Sequence, residues 1–366
     1  MSSIARMWSV WESHAKTGHY PFDFAPYEAV REVFERLIPV FDQDRESWGR
    51  EFTAAAERHE HDHFQAYGLY RMARYPTPST PLQQAAYRKS QEHLIAAYAT
   101  SEAPIERVEI PFAGRSGEGS KVVGYLRRPP NAAKPPVFVS WAGIDTFKED
   151  WVHRSQPFLD RGMATLCVDM PGTGDAPLSG SAEEPERMWD AIFDWLGSRP
   201  DLDSGRVGGW GGSTGGYWAT RLAHTRRERF TAVISQGGCA HYAFTREWLS
   251  QDAHRDAWPF TVTESLAKAF GLPREEDWID FAPQLSLLDI GILDQPCAPL
   301  LCINGVNDFI FPIRDYYLLL EHGGPKTARF FPGGHMGMDA EGSQDHTVPP
   351  MVEWMCARLG VGGALP

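Results

Sequence analysis

The sequence predicts an α/β architecture, with an all-helical N-terminal region followed by a mostly parallel, doubly wound sheet. Two observations predict it. Residues 1–104 carry apolar side chains at three- and four-residue spacing, as in DFAPYEAVREVFERLIPVF, which is typical of amphipathic helices. After Pro104 short apolar runs alternate with helical segments up to the C-terminal region, and this order gives a parallel sheet covered by helices.

The elements after Pro104 can be placed one by one. IERVEIPFA and KVVGYLRRP alternate in the manner of a hairpin, and PPVFVSWAG is a continuous apolar run typical of a buried parallel strand. Further strands are predicted in ATLCVDM, GRVGGWGG, FTAVISQGG, APLLCINGVND and ARFFPGG. The helices among and after them are predicted in EEPERMWDAIFDWLGSR, TGGYWATRLAHTR, IRDYYLLLEHG and VPPMVEWMCARLG.

The same pattern predicts the domain boundaries. We expect a helical cap region at 1–104, an α/β core formed by 105–238 and 295–366, and a helical insertion at 239–294 that contributes to the cap. The insertion contains YAFTREWLSQDAHRDAWPFTVTESLAKAF, which is too long for a simple connection between strands. We expect it to lie over the carboxyl edge of the sheet.

Composition and charge exclude several classes of partner. A net charge of -13 disfavours nucleic acid and anionic membranes, which attract basic faces. No run approaches the length of a membrane span, and MSSIARMWSVWESHAK lacks a secretory apolar segment, so we expect a cytoplasmic protein. The five scattered cysteines, none in a CxxC pair, are predicted to be free thiols without zinc. The sequence leaves a homodimer open.

One serine lies in a glycine-rich turn. Gly211 to Gly215 fits G-x-S-x-G, with a predicted strand ending at Trp210 and a helix beginning near Thr214. The alternative is an ordinary turn or a phosphate loop, but the Lys-Ser/Thr pair of a phosphate loop is absent. The strand-turn-helix setting therefore predicts that Ser213 is a catalytic nucleophile.

A serine nucleophile needs a base that is oriented by a carboxylate. Asp308 in INGVNDFIFP and His335 in FFPGGHMGM each follow a predicted strand, in the chain order serine, acid, histidine. The alternatives are a helix N-cap for Asp308 and a surface-loop position for His335. Weaker candidates are Asp289, Asp294, Asn307 and Asp315 for the acid and His322 for the base.

An oxyanion hole and a substrate site complete the prediction. The amide of Thr214 would supply one donor, and Gly143 or Ile144 in the loop after VFVSW would supply the other. The side chains predicted to contact substrate follow the strand TAVISQGG, although core packing explains the tryptophan as well, and they are Tyr242, Glu247 and Trp248.

A histidine-rich stretch invites a metal interpretation. ERHEHDHF contains His59, His61 and His63, but in a helix only the first and third share a face, and no defined ligand set accompanies them. The sequence predicts neither a metal nor a cofactor.

Five stretches together resemble the α/β-hydrolase superfamily, in its branch with an N-terminal helical cap. They are WAGIDTFKED, DMPGTGDAP, GWGGSTGGYWATRLA, INGVNDFIFP and GGHMGM. The branch includes 2,6-dihydroxypseudooxynicotine hydrolase, the fungal polyketide-shortening hydrolases of melanin pathways and, more remotely, the fermentation-respiration switch proteins. The similarity covers about residues 105–360, and Ala142 stands where the first glycine of the oxyanion loop is commoner.

The resemblance implies a serine-triad hydrolase without a metal. It implies cleavage of a carbon-carbon bond adjacent to a ketone in a small aromatic or polyketide-like substrate. The alternatives are a carboxylesterase, lactonase or thioesterase with the same triad, an acyl transferase using an alcohol or amine, and a non-catalytic binding protein with the same fold.

Overall fold

The computed structural model describes residues 3–41, 44–130, 132–251 and 260–362. These residues form two compact units. The helical unit takes the described residues up to Pro104 together with 260–265 and Asp339–Ser343. The sheet unit takes the remainder, including 239–251 and 266–294 of the predicted insertion, whose residues 252–259 lie outside the described part. The assignment of 1–104 and 239–294 as a cap stays a prediction.

The helical unit contains five helices: α1 Ser3–Thr17, α2 Tyr27–Leu37, α3 Arg45–Glu57, α4 His63–Arg74 and α5 Pro81–Tyr98. Side-chain caps fix where three of them begin, because Asp44, Asp62 and Thr80 accept hydrogen bonds from amides of the first turns of α3, α4 and α5. Their apolar faces meet in an aromatic core that includes Phe34, Trp48, Phe52, Tyr75 and Phe260.

The sheet unit is built on eight strands in the spatial order β1-β2-β4-β3-β5-β6-β7-β8. β1 and β2 are antiparallel, β2 is antiparallel to β4, and all other neighbours are parallel. The strands are β1 Glu106–Pro111, β2 Lys121–Arg127, β3 Pro136–Trp141, β4 Ala164–Val168, β5 Asp203–Gly212, β6 Ala232–Gln236, β7 Leu300–Gly305 and β8 Thr327–Phe331. This arrangement confirms the predicted α/β architecture and its N-terminal hairpin.

Helices accompany the parallel strands, which explains why the central strands read as unbroken apolar runs. Every residue of β3, β4, β6 and β7 is buried, because strands covered on both faces need apolar side chains on both. The described helices after β2 are α6 Lys148–Arg154, α7 Gln156–Leu159, α8 Arg187–Ser198, α9 Thr214–Thr225, α10 Arg246–Leu249, α11 Val262–Ala269, α12 Trp278–Phe281, α13 Arg314–Glu321 and α14 Val348–Leu359. The first four residues of α11 belong to the helical unit. Among the helices that the structure describes, none is both long and apolar enough to cross a membrane.

The strand order determines where the predicted catalytic residues lie. It reverses at β3, which lies between β4 and β5, and ligands bind at the carboxyl ends of the strands beside such a reversal. The predicted oxyanion loop follows β3, Ser213 follows β5, and Asp308 and His335 follow β7 and β8. The topology therefore brings loops that are far apart in sequence to one edge of the sheet.

Candidate active site

Ser213 sits on a strained turn between β5 and α9. Its φ of 56° and ψ of -127° lie in a region that residues other than glycine rarely adopt. The turn is held by the Ser213 amide, which donates to the Gln236 carbonyl at 2.8 Å. The conformation raises the half-buried serine side chain above the end of the strand.

Both flanking glycines of the motif are required by close backbone contacts. A Cβ placed on Gly211 would lie 2.1 Å from the Gly215 carbonyl oxygen, and one on Gly215 would lie 2.2 Å from the Ala142 carbonyl oxygen. Real Cβ atoms do not approach that closely, so a side chain at either position would displace main chain.

Gly215→Ala is expected to lower the free energy of unfolding by about 2–3 kcal/mol, the usual effect of overpacking a site that cannot relax. Gly197→Ala in α8 is the control, because nothing lies within 4 Å of a Cβ there. That variant should be neutral, or more stable by up to about 1 kcal/mol, since alanine favours helix over glycine. Urea denaturation of both variants measures the difference. Equal stability would contradict the steric account.

The structure joins the three predicted triad side chains in one chain of hydrogen bonds. His335 Nε2 lies 2.8 Å from Ser213 Oγ, and His335 Nδ1 lies 2.8 Å from Asp308 Oδ2. A carboxylate only accepts, so Asp308 selects the tautomer with the proton on Nδ1. Nε2 is then an acceptor for the serine hydroxyl proton, as a general base must be.

Asp308 is fully buried, with a side-chain exposure of 0%, and both of its oxygens are engaged. Oδ1 accepts the amides of Ile310 at 2.8 Å and Phe311 at 3.1 Å, while Oδ2 accepts Asn304 Nδ2 at 2.8 Å beside His335. A carboxylate with four donors around it keeps one orientation. The imidazole that it holds is therefore fixed as well.

Two buried amide side chains, missed from the sequence, hold the histidine loop. Asn304 Oδ1 accepts the Met336 amide at 2.9 Å, so the residue that contacts Asp308 also holds the neighbour of His335. Gln236 Nε2 donates to the Met336 carbonyl at 2.9 Å and to Thr347 Oγ1 at 3.1 Å. Each is a polar residue near the carboxyl end of an apolar strand, and this is the signal that could have indicated them.

The predicted oxyanion loop lies directly against the serine. A Cβ on Gly143 would be 2.8 Å from Ser213 Cβ, so only glycine permits this approach. The Gly143 amide donates to Thr146 Oγ1 at 3.3 Å, whereas within the described ranges the amides of Ile144 and Thr214 have no protein acceptor. Of the two residues that the sequence leaves open, the geometry therefore favours Ile144 as the partner of Thr214.

A buried ion cluster, also missed from the sequence, follows this loop. Lys148 Nζ lies 2.8 Å from Glu149 Oε1, 2.9 Å from Asp169 Oδ2 and 2.6 Å from Asp175 Oδ2. Burial raises the pKa of the Asp169 carboxyl to about 6, with Glu149 and Asp175 adding to the effect and Lys148 opposing it. The signal available in the sequence was the charged run Lys148-Glu149-Asp150 in an otherwise apolar region.

The three predicted substrate residues lie in the segment after β6. Trp248 Nε1 donates to the Ile310 carbonyl at 3.1 Å, so this side chain contacts the loop that carries Asp308. The Tyr242 ring lies under the Arg314 guanidinium at 4.1 Å, and Glu247 is exposed on α10. No substrate contact is established for any of them, and their role stays a prediction.

The weaker candidates for acid and base have other partners. Asp315 is buried and accepts the amides of His241, Tyr242 and Ala243, and burial raises the pKa of its carboxyl. Three others pair elsewhere, His322 with Asp294 at 3.1 Å and Asp289 with His241 at 3.6 Å. For Asn307 the structure gives a backbone hydrogen bond, from its N–H to the Gly333 carbonyl at 3.0 Å.

The histidine-rich stretch is not one helix, so the condition under which His59 and His63 would share a helical face is not met. α3 ends at Glu57 and α4 begins at His63, because Asp62 caps a new helix there. His59 Nδ1 contacts the Ala55 carbonyl at 2.8 Å, and His63 Nδ1 contacts His93 Nδ1 at 3.0 Å. Over the described residues, no group of three or more His, Cys, Asp or Glu side chains could hold a metal ion.

Comparison with known proteins gives a family match and several relatives. Residues 48–276, more than half of the chain, match the family model described as Esterase FrsA-like. Esterase FrsA of Photorhabdus laumondii is 26% identical over 261 residues, which cover 69% of this chain and 60% of that protein. 2,6-Dihydropseudooxynicotine hydrolase of Paenarthrobacter nicotinovorans is 26% identical over 260 residues, which cover 70% of this chain and 61% of that protein. The chain thus matches about three fifths of the length of these relatives.

Solved structures show the same fold. The wild-type AbyA5 structure aligns with a TM-score of 0.79 at 20% identity, covering 99% of this chain and 96% of its own. The crystal structure of 2,6-dihydroxy-pseudo-oxynicotine hydrolase aligns with a TM-score of 0.70 at 22% identity, and the alignment covers 92% of this chain and 94% of that one. At these identities the alignments establish the α/β-hydrolase fold and nothing finer.

Proposed function

We propose that this chain, which belongs to the Esterase FrsA-like family, is a serine hydrolase whose nucleophile is Ser213. One observation carries the proposal. Ser213, His335 and Asp308 form an uninterrupted chain of two 2.8 Å hydrogen bonds that begins at a strained turn. An oriented imidazole beside a serine is the arrangement that makes its hydroxyl nucleophilic at neutral pH.

The geometry supports a two-step reaction. His335 Nε2 takes the Ser213 hydroxyl proton as Oγ attacks the acyl carbon, and Asp308 stabilises the resulting imidazolium. The amides of Ile144 and Thr214 donate to the oxyanion. The leaving group departs with the proton from His335, and a water deprotonated by His335 then releases the acid from Ser213.

The family description favours a carboxylic ester as the bond that is cleaved, and a lactone or thioester would need the same machinery. The second candidate is a carbon-carbon bond adjacent to a ketone, favoured by the similarity to 2,6-dihydropseudooxynicotine hydrolase. There the leaving group is a carbanion that takes its proton from His335. Such a substrate must stabilise that charge, as an acyl phenol or a β-diketone does.

A cytoplasmic location remains part of the proposal. The five cysteines Cys167, Cys239, Cys297, Cys302 and Cys356 are all free in the structure. Free thiols are the usual state of cysteine in a reducing compartment. Small aromatic ketones or esters stay the proposed substrates, and neither a dimer nor any other partner is established.

A paired substrate screen decides between the two bonds. p-Nitrophenyl esters of increasing acyl length are assayed beside acyl phenols and β-diketones, and both product fragments are weighed by mass spectrometry. Ester turnover without ketone cleavage supports the esterase assignment, whereas formation of an acid and a ketone or phenol from a diketone or acyl phenol supports the carbon-carbon assignment. If no acyl substrate is cleaved, the hydrolase proposal is overturned.

A further inference from the structure

A lysine is completely buried next to the proposed oxyanion hole. Lys148, at 0% side-chain exposure, begins α6 immediately after the oxyanion loop, defined here as residues 142–147. Its ammonium contacts the carboxylates of Glu149, Asp169 and Asp175, and lies 5.3 Å from the centre of the Tyr125 ring. Buried lysines are rare because the charge loses its hydration, so this one needs an explanation.

The lysine connects the end of the oxyanion loop to the turn after β4. Its backbone amide donates to Asp169 Oδ1 at 2.8 Å, and its side chain donates to Asp169 Oδ2 at 2.9 Å. The Asp175 amide donates to the same Oδ2 at 2.9 Å. The Asp169 carboxylate, directly after β4, thus accepts hydrogen bonds from both the main chain and the side chain of the first residue after the loop.

The other end of the loop is fixed as well. Trp141 Nε1 donates to the Gly215 carbonyl at 2.8 Å, and the Ala142 carbonyl packs against Gly215, where a Cβ would lie 2.2 Å away. Between these two anchors lie Gly143, against Ser213, and Ile144, whose amide has no acceptor in the described part of the chain. The position of the Ile144 amide therefore depends on both anchors.

The charge balance indicates a positioning role. Three carboxylates surround one ammonium, and the side chains of two of them, Glu149 and Asp169, are 2% exposed. Compared with apolar packing, a buried ion cluster of this kind stabilises a fold little or not at all. Such a cluster restricts its side chains to one arrangement, because each buried donor and acceptor must have a partner. Small displacements of catalytic groups are costly, about 100-fold in rate for 1 Å.

We propose that Lys148 is a positioning residue, which through Asp169 holds the oxyanion loop so that the Ile144 amide faces the oxyanion formed on attack by Ser213. This inference rests on the proposed function. It predicts that losing the ammonium impairs stabilisation of the transition state and leaves ground-state binding of substrate intact. Such a loss appears in kcat and not in KM.

The test compares Lys148→Met with Arg187→Met, using a p-nitrophenyl ester. Arg187 is the control because it pairs with Glu118 at 2.7 Å, is mostly buried in the same unit, and belongs to neither the triad nor the oxyanion loop. Lys148→Met is expected to lower kcat about 10- to 100-fold, with KM within about twofold of the wild type. Arg187→Met should change neither by more than about twofold.

If Lys148→Met does not fold, a less disruptive variant and its control test the same inference. Asp175→Asn removes the most exposed of the three carboxylates and is compared with Glu118→Gln. A smaller fall in kcat, about 3-fold, is expected for Asp175→Asn alone. Thermal unfolding of all four variants shows whether each is folded at the assay temperature.

Two outcomes overturn the inference: Lys148→Met and Asp175→Asn are as active as their controls, or kcat falls only in proportion to the folded protein that is lost, so that kcat per folded molecule is unchanged. Ser213→Ala, assayed in parallel, separates this failure from failure of the proposed function. If Ser213→Ala is inactive while Lys148→Met keeps full kcat, the hydrolase survives and the positioning role is wrong. If Ser213→Ala is fully active, the proposed function itself fails.

Discussion

Ser213→Ala is expected to lower kcat for every cleaved ester or ketone by about 10⁴-fold or more, the effect of removing a triad nucleophile. The reason is that Ser213 Oγ is the atom that faces His335 Nε2 at 2.8 Å and would form the bond to the acyl carbon. The fold should remain, because alanine keeps the Cβ that the turn already accommodates. Steady-state kinetics and thermal unfolding measure the two effects.

Ser198→Ala is the matched control for this variant. Ser198 is an exposed serine at the end of α8, and its hydroxyl donates to the Trp195 carbonyl in the same helix at 2.7 Å. It should retain wild-type activity. If Ser213→Ala kept activity within a factor of two of that control, Ser213 would not be the nucleophile.

Asp308→Asn is expected to lower kcat by about 10³- to 10⁴-fold, because an amide cannot replace a carboxylate as the partner of the imidazole. The carboxylate accepts from His335 Nδ1 at 2.8 Å, whereas an amide nitrogen placed there donates and moves the imidazole proton to Nε2. That nitrogen can then no longer take the serine proton. Kinetics near neutral pH measure the loss.

The control is Asp289→Asn, which changes the exposed carboxylate that lies 3.6 Å from His241 Nδ1. Asp289 is one of the weaker acid candidates from the sequence, and it should show wild-type kinetics. A large loss in Asp289→Asn together with an active Asp308→Asn would reverse the assignment of the acid.

The fold was predictable because its signals are local. Continuous apolar runs and helical spacing each lie within a dozen residues, so β3 to β8 could be located without knowledge of their neighbours. The prediction of Ser213 as nucleophile rests on the same kind of local signal, since the glycines that its turn requires are two residues away on each side. Asp308 and His335 were predicted from their positions after strands and their order in the chain, and the structure places both beside Ser213 in one hydrogen-bonded chain.

The supporting side chains were missed because their partners are distant in sequence. Asn304 and Gln236 act on Met336, which is 32 and 100 residues further along the chain. Lys148 reads as a surface charge until the fold places Asp169 and Asp175 around it. Burial and pairing of this kind depend on tertiary structure, which the spacing of apolar residues in the sequence does not reveal.

The histidine-rich stretch 57–64 is divided between two helices for a local reason. One continuous helix through His59 and His63 is prevented by Asp62, a good N-cap residue immediately before His63. Four-residue spacing of two histidines is no evidence of a shared helical face when a capping residue lies between them.

The central claim is that Ser213 is an activated nucleophile, and reaction with a fluorophosphonate probe tests it most directly. Intact-protein and peptide mass spectrometry locate the adduct. The predicted result is a single phosphonyl adduct on the peptide that contains Ser213, formed much more slowly in Asp308→Asn and absent in Ser213→Ala. A wild-type protein that forms no adduct, or forms it equally well in Ser213→Ala, would contradict the claim.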